Sequence, residues 1–297
     1  MPASTRQLKT RVRSVKSTRQ ITKAMQLVAA SKMRRSQKSA IITNPYTDVA
    51  KQILGYLYRL NQTNDHILFR EREVKKRLII VISSDKGLAG AYNTNILKEY
   101  MNQLNEDKKN GINTETIAVG RKAASFITKL KSIEVVGVYE GASDDVPSQK
   151  ERISIIQPAI DRFKSGEIDA VDVLYTKFES PIKQQVLVER LLPAGQELFI
   201  ETKDDVSTND LLSAKFEPSV DFVIDNIAER LLIAWLQHAL LDAKASEHSM
   251  RMLAMKNATD NANDLIDDLT LAMNKARQGS ITQELTEISS GVEALNN

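Results

Sequence analysis

Cysteine is absent from the 297-residue chain, which excludes disulfides, thiol nucleophiles and cysteine-based metal sites. Aromatic residues make up only 5% of the sequence, a composition that suits helix–helix seams built from Leu, Ile, Met and Ala. No apolar run approaches the roughly 20 residues that a transmembrane helix needs. The N-terminus also lacks the apolar stretch of a secretory signal. The sequence therefore predicts no direct membrane span.

Acidic residues are absent from the first 47 positions, which carry eleven Lys or Arg. The rest of the chain holds 30 basic and 38 acidic residues. A basic arm on an acidic body implies an acidic partner: nucleic acid, an anionic membrane surface or an acidic protein loop. A mitochondrial transit peptide would have a similar composition. The arm lacks aromatic stacking residues and has an apolar stripe to cover, which argues against nucleic acid.

Glycine is missing from residues 3–44, as is proline, and this predicts one long helix. Its apolar stripe begins at one register and resumes six residues later in another, so we expect the seam to rotate. The two halves of the stripe are Leu8, Val12 and Val15, then Ile21, Met25 and Val28. Residues 24–31 are small or apolar on nearly all sides, which predicts enclosure by protein. Asn44-Pro45 is expected to bend or interrupt the helix.

A second run without Gly or Pro covers residues 219–278. Alternating steps of four and three residues define eighteen positions from Val220 to Ser280, and fourteen of them are apolar. Sustained heptads of this kind predict a left-handed coiled coil. We expect this helix to pair with the N-terminal helix in a long antiparallel coiled coil, or both to share a sleeve of other protein.

The middle of the chain changes period and alternates strands with helices. Strands are predicted at 78–82, 116–119, 133–138, 171–178 and 182–191, with helices at 93–107, 121–131 and 148–164. This alternation predicts an α/β domain with a doubly wound, mostly parallel sheet, whose fifth strand is antiparallel. The predicted domains are an N-terminal coiled-coil helix at 1–60, the α/β domain at 76–200 and a C-terminal coiled-coil helix at 211–297. The polar stretch at 202–210 is expected to be a loop.

Candidate chemical sites are few. The loop from Asp85 to Gly90 follows a strand, but it matches neither the dinucleotide fingerprint nor a P-loop; a tight turn and a nucleotide site both stay open. The histidines show no metal-ligand spacing, and two of them fall on the coiled-coil seam, where a polar residue more often sets register or faces a gap than binds zinc. An aspartate group on the last helix is either a solvated, partner-facing side or an acidic metal cluster. These two groups are His66, His238 and His248, and Asp264, Asp267 and Asp268.

Four stretches of the sequence resemble the gamma subunits of F-type ATP synthases. They are ITKAMQLVAASKM at 21–33, SDKGLAGAYN at 84–93, RMLAMKNATDN at 251–261 and NKARQGSITQELTEI at 274–288. The stretches lie in the family's order and span the whole chain. Relatives in chloroplasts carry a cysteine-containing insert, which this chain lacks, so thiol regulation is excluded.

The resemblance implies a central rotor shaft that couples proton-driven rotation to changes at nucleotide sites of an alpha/beta ring. It implies the alpha, beta and epsilon subunits and the membrane ring of c subunits as partners, with no nucleic acid. It implies a non-catalytic subunit without a cofactor, because ATP, ADP and Mg²⁺ bind the ring subunits. The expected location is peripheral, on the cytoplasmic side of a bacterial plasma membrane. The start at Met1-Pro2-Ala3 leaves no room for a transit peptide and favours a bacterial source.

The resemblance also implies a set of residues that contact neighbouring subunits. These are Met25, Lys23, Arg251, Arg277, Gln278, Thr282 and Glu284. An acidic loop of the beta subunits is the implied partner of the basic first helix. Two other interpretations stay open: a coiled-coil scaffold without a motor role, and a nucleotide enzyme built on the α/β domain.

Overall fold

The computed structural model describes residues 5–59, 66–130, 133–141, 147–195, 217 and 219–296. Side chains are described at these positions except 5, 40–59, 220, 221 and 292–296. The predicted loop at 202–210 lies outside the described residues. The helices and strands are α1 Thr5–Arg59, β1 Lys76–Ile82, α2 Tyr92–Asn110, β2 Asn113–Val119, α3 Arg121–Ile127, β3 Glu134–Tyr139, α4 Gln149–Ser165, β4 Ala170–Ser180, β5 Lys183–Leu192 and α5 Val220–Asn296.

Five strands form one sheet in the order β3-β2-β1-β4-β5. The pairs β1–β2, β1–β4 and β2–β3 are parallel, whereas β4 and β5 form an antiparallel hairpin. The predicted doubly wound sheet with an antiparallel fifth strand is confirmed. Pairing of β4 with β1 ends at Leu174, opposite Val81. Residues 176–180 of β4 therefore extend past β1 and are paired with β5 alone among the described strands.

Both faces of the sheet are buried, because the central strand β1 is covered by helices on each side. Alternate residues of a strand point to opposite faces. Leu78 and Ile80 accordingly join a core with Phe163 of α4 and Leu232 of α5. Ile79 and Val81 join the other core, with the α2 side chains. An uninterrupted Leu-Ile-Ile-Val-Ile run is what a strand buried on both faces requires.

Local signals fix the ends of the shorter helices. Ser148 and Glu151 form a capping box at the start of α4, since the serine hydroxyl accepts from the Glu151 N–H and the glutamate accepts from the Ser148 N–H. Gly166 ends α4 and Gly111 ends α2, both in the left-handed conformation (φ 78° and 70°). Only glycine adopts this conformation without steric cost.

Asn44-Pro45 is expected from the sequence to bend or interrupt helix α1; the helix is continuous through both residues, so the interruption is wrong. A proline removes one backbone hydrogen bond and crowds the preceding turn. The long helical segments on both sides keep the remaining bonds, and the helix continues to Arg59.

The two long helices contribute to two compact units. Residues 5–29 of α1 and 251–296 of α5 belong to one unit, which we call the helix pair; Ala30–Met250 form the other, the α/β unit. In the α/β unit the first half of α5 is buried on several sides, at Ala228, Leu232, Leu236 and Ala239 as well as at the predicted seam. The all-round burial follows from packing on the sheet. Within the helix pair, the buried side of α5 is a single stripe: Met255, Thr259, Ala262 and Ile266.

The predicted rotation of the α1 seam is wrong. Ile21 and Val28 are 60% and 55% exposed, whereas Thr22 and Ala29 are buried. The inward stripe keeps its steps of four and three from Val15 through Arg19 to Thr22. Polar and small residues occupy the seam at this point, and the hydrophobic pattern follows the outer surface instead. Periodicity of apolar residues reports the seam only where the seam is apolar.

Candidate functional site

The loop after β1, the one candidate for nucleotide binding, is closed by its own side chains. Asp85 Oδ1 accepts hydrogen bonds from the backbone N–H groups of Arg121 (3.0 Å) and Gly141 (3.1 Å). Ser84 and Asn93 bond each other across the same loop, at 2.8 Å from amide nitrogen to hydroxyl. The carboxylate thus occupies N–H donors of the kind that would hold a phosphate oxygen.

Close contact between two strand ends leaves little space behind this loop. A Cβ added at Gly120 would lie 2.4 Å from the carbonyl oxygen of Ser83. The Ser83 hydroxyl donates to Val119 O (3.1 Å) and accepts from the Ala123 N–H (2.8 Å). These contacts favour the tight-turn interpretation of the loop over a nucleotide site.

Metal binding has no support in the part of the chain that the structure describes, where no group of three or more His, Asp or Glu is arranged to hold an ion. His66 Nδ1 accepts from the Leu68 N–H (3.3 Å), and its Nε2 lies 3.3 Å from Asp225. His248 is buried on the predicted seam, whereas His238 is exposed and lies 3.9 Å from Asp242. Asp264, Asp267 and Asp268 are exposed.

The helix pair is held in antiparallel register by two polar contacts. Thr259 Oγ1 lies 2.8 Å from Thr22 Oγ1, and Arg19 Nη1 donates to Asn263 Oδ1 at 3.2 Å. Extending this register by equal steps places Leu8 level with Met273. Leu8 is buried and Met273 is partly buried, as the register requires.

Beyond Met273, which lies level with Leu8, α5 continues into an exposed end, residues 277–291. Every residue from 277 to 291 is helical and exposed. Large apolar side chains nevertheless line one side of it at i, i+4 and i+7: Ile281, Leu285 and Ile288, which are 49%, 63% and 64% exposed. An unpartnered apolar stripe on a surface helix marks a contact surface for another protein.

Four of the seven predicted contact residues lie on this exposed end. Arg277 and Gln278 are exposed at its start. Thr282 and Glu284 are also exposed, and their recorded bonds stay within the helix: Thr282 donates to Gln278 O (2.9 Å) and Glu284 accepts from Ser280 (3.4 Å). Their polar groups are therefore available to a neighbouring chain.

The other three predicted contact residues lie nearer the α/β unit in sequence. Lys23 is exposed and donates to Gln26 (3.3 Å), and Met25 is partly buried. Arg251, by contrast, is buried within the chain, at 8% exposure. The predicted enclosure of residues 24–31 is not provided by the chain itself, since Leu27 and Val28 are 61% and 55% exposed.

Charge differs between the two helices of the pair. Residues 5–29 of α1 carry basic side chains and no acidic ones, and most are exposed. The facing stretch of α5, residues 257–274, carries four aspartates and no basic residue. Among the described residues these aspartates form no ion pair. The helix pair thus presents a basic side and an acidic side to its surroundings.

Two polar features were missed in the sequence because partners distant in sequence create them. Arg77 bonds Asp107 (2.8 Å) and Asp172 (3.0 Å) inside the α/β unit, and Asp172 also pairs with Arg190. Polar side chains on α5 contact the β4–β5 hairpin. Their spacing at i, i+4 and i+7 (Asp242, Ser246 and Ser249) was the available signal.

Comparison with known proteins gives full-length matches. The sequence model of a family described as ATP synthase matches residues 4–295. The ATP synthase gamma chains of Cupriavidus necator and Haemophilus influenzae are each 37% identical over 293 residues, which is 99% of this chain and 100% of each relative. None of the described helices is long and apolar enough to cross a membrane.

Solved structures show the same fold. The central stalk/c-ring structure of the Tetrahymena thermophila mitochondrial ATP synthase contains a chain with a TM-score of 0.59 and 23% identity, covering 80% of this chain and 99% of that one. A chain of the Euglena gracilis mitochondrial enzyme (OSCP/F1/c-ring) has a TM-score of 0.65 and 16% identity, covering 98% and 94%.

Proposed function

Because this chain belongs to the ATP synthase gamma family, we propose that it is the rotor shaft of a bacterial F-type ATP synthase and has no catalytic site of its own. Rotation of the membrane ring turns the shaft, and the shaft changes the nucleotide sites of the surrounding ring in sequence. The exposed end of α5 is the structural observation that carries this proposal.

A shaft needs a stiff body and an outer surface that other subunits can hold. The seam between α1 and α5 supplies stiffness, with Val12 and Ile266 buried on its two sides. The apolar stripe Ile281, Leu285 and Ile288 is left for a sleeve of other subunits. Burial of such side chains stabilises an assembly by about 1.5–3 kcal/mol each before ordering costs. We assign the sleeve to the alpha and beta subunits.

Electrostatics supports a beta-subunit contact on the other helix. The exposed basic side of α1, including Lys23, complements an acidic loop. Complementary charge of this kind guides the encounter and the register of partners more than it adds affinity. Met25 lies two residues after Lys23, so we place it where the acidic loop would contact an apolar side chain of α1.

The proposal assigns nucleotide chemistry to the ring subunits. Asp85 fills the N–H donors of Arg121 and Gly141, which supports a shaft without bound ATP, ADP or Mg²⁺. The α/β unit is assigned to the membrane side, against the epsilon subunit and the c-ring. Its attachment would be peripheral, on the cytoplasmic side of the plasma membrane.

Co-purification from inverted membrane vesicles tests the proposal. A tagged copy of the chain is expected to bring down the alpha, beta and epsilon subunits in a complex that hydrolyses ATP and, in vesicles, pumps protons. A coiled-coil scaffold without a motor role predicts that depletion of the chain leaves ATP-driven pumping intact. Pumping that persists without the chain would contradict the proposal.

A further inference from the structure

Helix α5 replaces a missing strand along part of the sheet. Residues 176–180 of β4 extend past the end of β1, so the edge that faced β1 loses its strand partner there. In a strand, the backbone groups of residues i and i+2 point to the same edge. Thr176 and Phe178 therefore present a carbonyl and an N–H on the edge that Leu174 offers to β1.

Polar side chains of α5 bond the unpaired edge. Ser246 Oγ donates to Thr176 O at 3.1 Å. Asp242 lies one turn earlier on the same side of α5, where the Phe178 backbone acts to lower the pKa of its carboxyl, against the larger effect of burial, which raises it. One turn after Ser246, Ser249 Oγ donates to Pro181 O (2.7 Å) at the hairpin turn. Residues 242, 246 and 249 are spaced i, i+4 and i+7 and so lie on one side of the helix.

The serines of this stripe are fully buried, as Ser246 and Ser249 each have 0% exposure. Gln184 on β5 links one of these serines to the hairpin, because its Nε2 donates to Ser249 Oγ (3.3 Å) and to Ser180 O (2.8 Å). Buried hydroxyls are costly unless they are bonded. Within the described residues, both of these hydroxyls are bonded to the hairpin. Ser246 and Ser249 therefore lie on α5 where their hydroxyls can bond the β4–β5 hairpin.

Apolar packing and these bonds resist different motions. Burial of Leu232, Leu236 and Leu240 on the sheet is non-directional and opposes separation of the helix. Hydrogen bonds need donor and acceptor in a narrow geometry, so they also oppose turning and sliding of the helix along the sheet. Helix α5 continues without a break past Met250 to Asn296.

We propose that Ser246 and Ser249 clamp the β4–β5 hairpin to α5, so that torque passes between the α/β unit and the shaft helix without slip. This inference rests on the proposed rotor function and names the residues that transmit its load. The clamp residues are positioning residues: they contact neither substrate nor, in the proposal, another subunit.

The test compares Ser246→Ala/Ser249→Ala in the complete membrane-bound complex with wild type. Alanine removes two oxygens and favours helix, so assembly and ATP hydrolysis without a proton gradient are expected to be unchanged. Protons pumped per ATP hydrolysed are expected to fall several-fold as the gradient builds. Ser165→Ala is the matched control, because that exposed hydroxyl bonds only its own helix, at Arg162 O.

Hydrogen exchange in the same complex gives a second readout. The Phe178 and Gln184 region is expected to exchange faster in the double variant than in wild type or the control. A pumping ratio that stays at the wild-type value under load, or hydrolysis and pumping that fall in parallel, would overturn the clamp. If the double variant fails to assemble, Gln184→Ala carries the same expectation with a smaller effect. Loss of pumping in the wild-type complex would instead refute the rotor function.

Discussion

Thr22 and Thr259 meet hydroxyl to hydroxyl, 2.8 Å apart, in the buried seam of the helix pair. Thr22 Oγ1 donates its hydrogen to Arg19 O (3.0 Å), and Thr259 Oγ1 also lies 2.8 Å from Met255 O, so its one hydrogen is shared between Met255 O and Thr22 Oγ1. A polar layer in the seam between two helices costs stability but fixes which residues face each other. For a shaft, a fixed register means that the two helices turn as one.

Replacing either threonine with valine keeps the shape and removes the hydroxyl contact. We expect each single replacement to lower the free energy of unfolding by about 1 kcal/mol, and a coupling energy of about 0.5–1.5 kcal/mol in the double-mutant cycle. Urea unfolding of the purified chain measures these values. Thr18→Val serves as the control, because that exposed hydroxyl bonds Ser14 O within its own helix. If the effects of Thr22→Val and Thr259→Val on the free energy of unfolding were additive, the two threonines would not be coupled and the proposed polar layer would be contradicted.

The isolated chain is expected neither to bind MgATP with micromolar affinity nor to hydrolyse it. The reason is that the Asp85 carboxylate already takes the Arg121 and Gly141 N–H groups and would repel a phosphate. Isothermal titration calorimetry checks this, with Asp85→Asn as a comparison that removes the charge and keeps the acceptor. Heat of binding from the wild-type chain at micromolar nucleotide would refute the prediction.

Met25→Lys should impair coupling more than folding. Met25 is partly buried on α1, two residues before the exposed Leu27. In the proposed assembly, a lysine at position 25 would form a new ion pair with the acidic loop of the beta subunits. In water-excluded surroundings such a pair is strong enough to hold one rotor angle. The ratio of protons pumped to ATP hydrolysed should fall in vesicles, while Met25→Leu keeps the wild-type ratio; equal ratios in all three enzymes would argue against the contact.

Arg277→Ala with Gln278→Ala should slow turnover without changing subunit stoichiometry. Both side chains are exposed at the start of the free end of α5, and a hydrogen bond to a charged group contributes about 1.5–3 kcal/mol. Steady-state ATP hydrolysis by the purified complex is expected to drop several-fold. Lys275→Ala, an exposed neighbour on the same helix, is the control. Wild-type turnover in the double variant would show that this helix end is merely solvated.

Asp242 makes stability depend on pH. Burial raises the pKa of its carboxyl above the usual value of 3.8, against the opposing effect of His238 and the Phe178 hydrogen bond. Between pH 3.8 and the raised pKa the folded chain binds more protons than the unfolded one, so this group's contribution to stability falls as pH rises. Asp242→Asn keeps an acceptor for Phe178 and removes the titration. Its stability relative to wild type should therefore increase from pH 4 to neutral, measured by urea unfolding; a constant difference would contradict this.

The sequence by itself determined the α/β sheet, both long helices and the family. The apolar run at residues 78–82 predicts a buried strand, and the four-and-three spacing on α5 predicts a helix. Both predictions need only the order of apolar residues within the segment, because the hydrophobic effect does not depend on which partner covers them. The seam of α1 was different. Its inward positions include Arg19 and Thr22, whose side chains bond Asn263 and Thr259 of the facing helix.

Tertiary structure alone decided which polar groups meet. Asp85 accepts from N–H groups 36 and 56 residues away, and Ser246 bonds a carbonyl 70 residues earlier in the chain. Hydrogen bonds depend on distance and direction between two groups, and neither is encoded by the residue types alone. Apolar burial needs only the right periodicity, whereas a buried hydroxyl needs a particular partner, and the partner is fixed when the sheet and α5 come together.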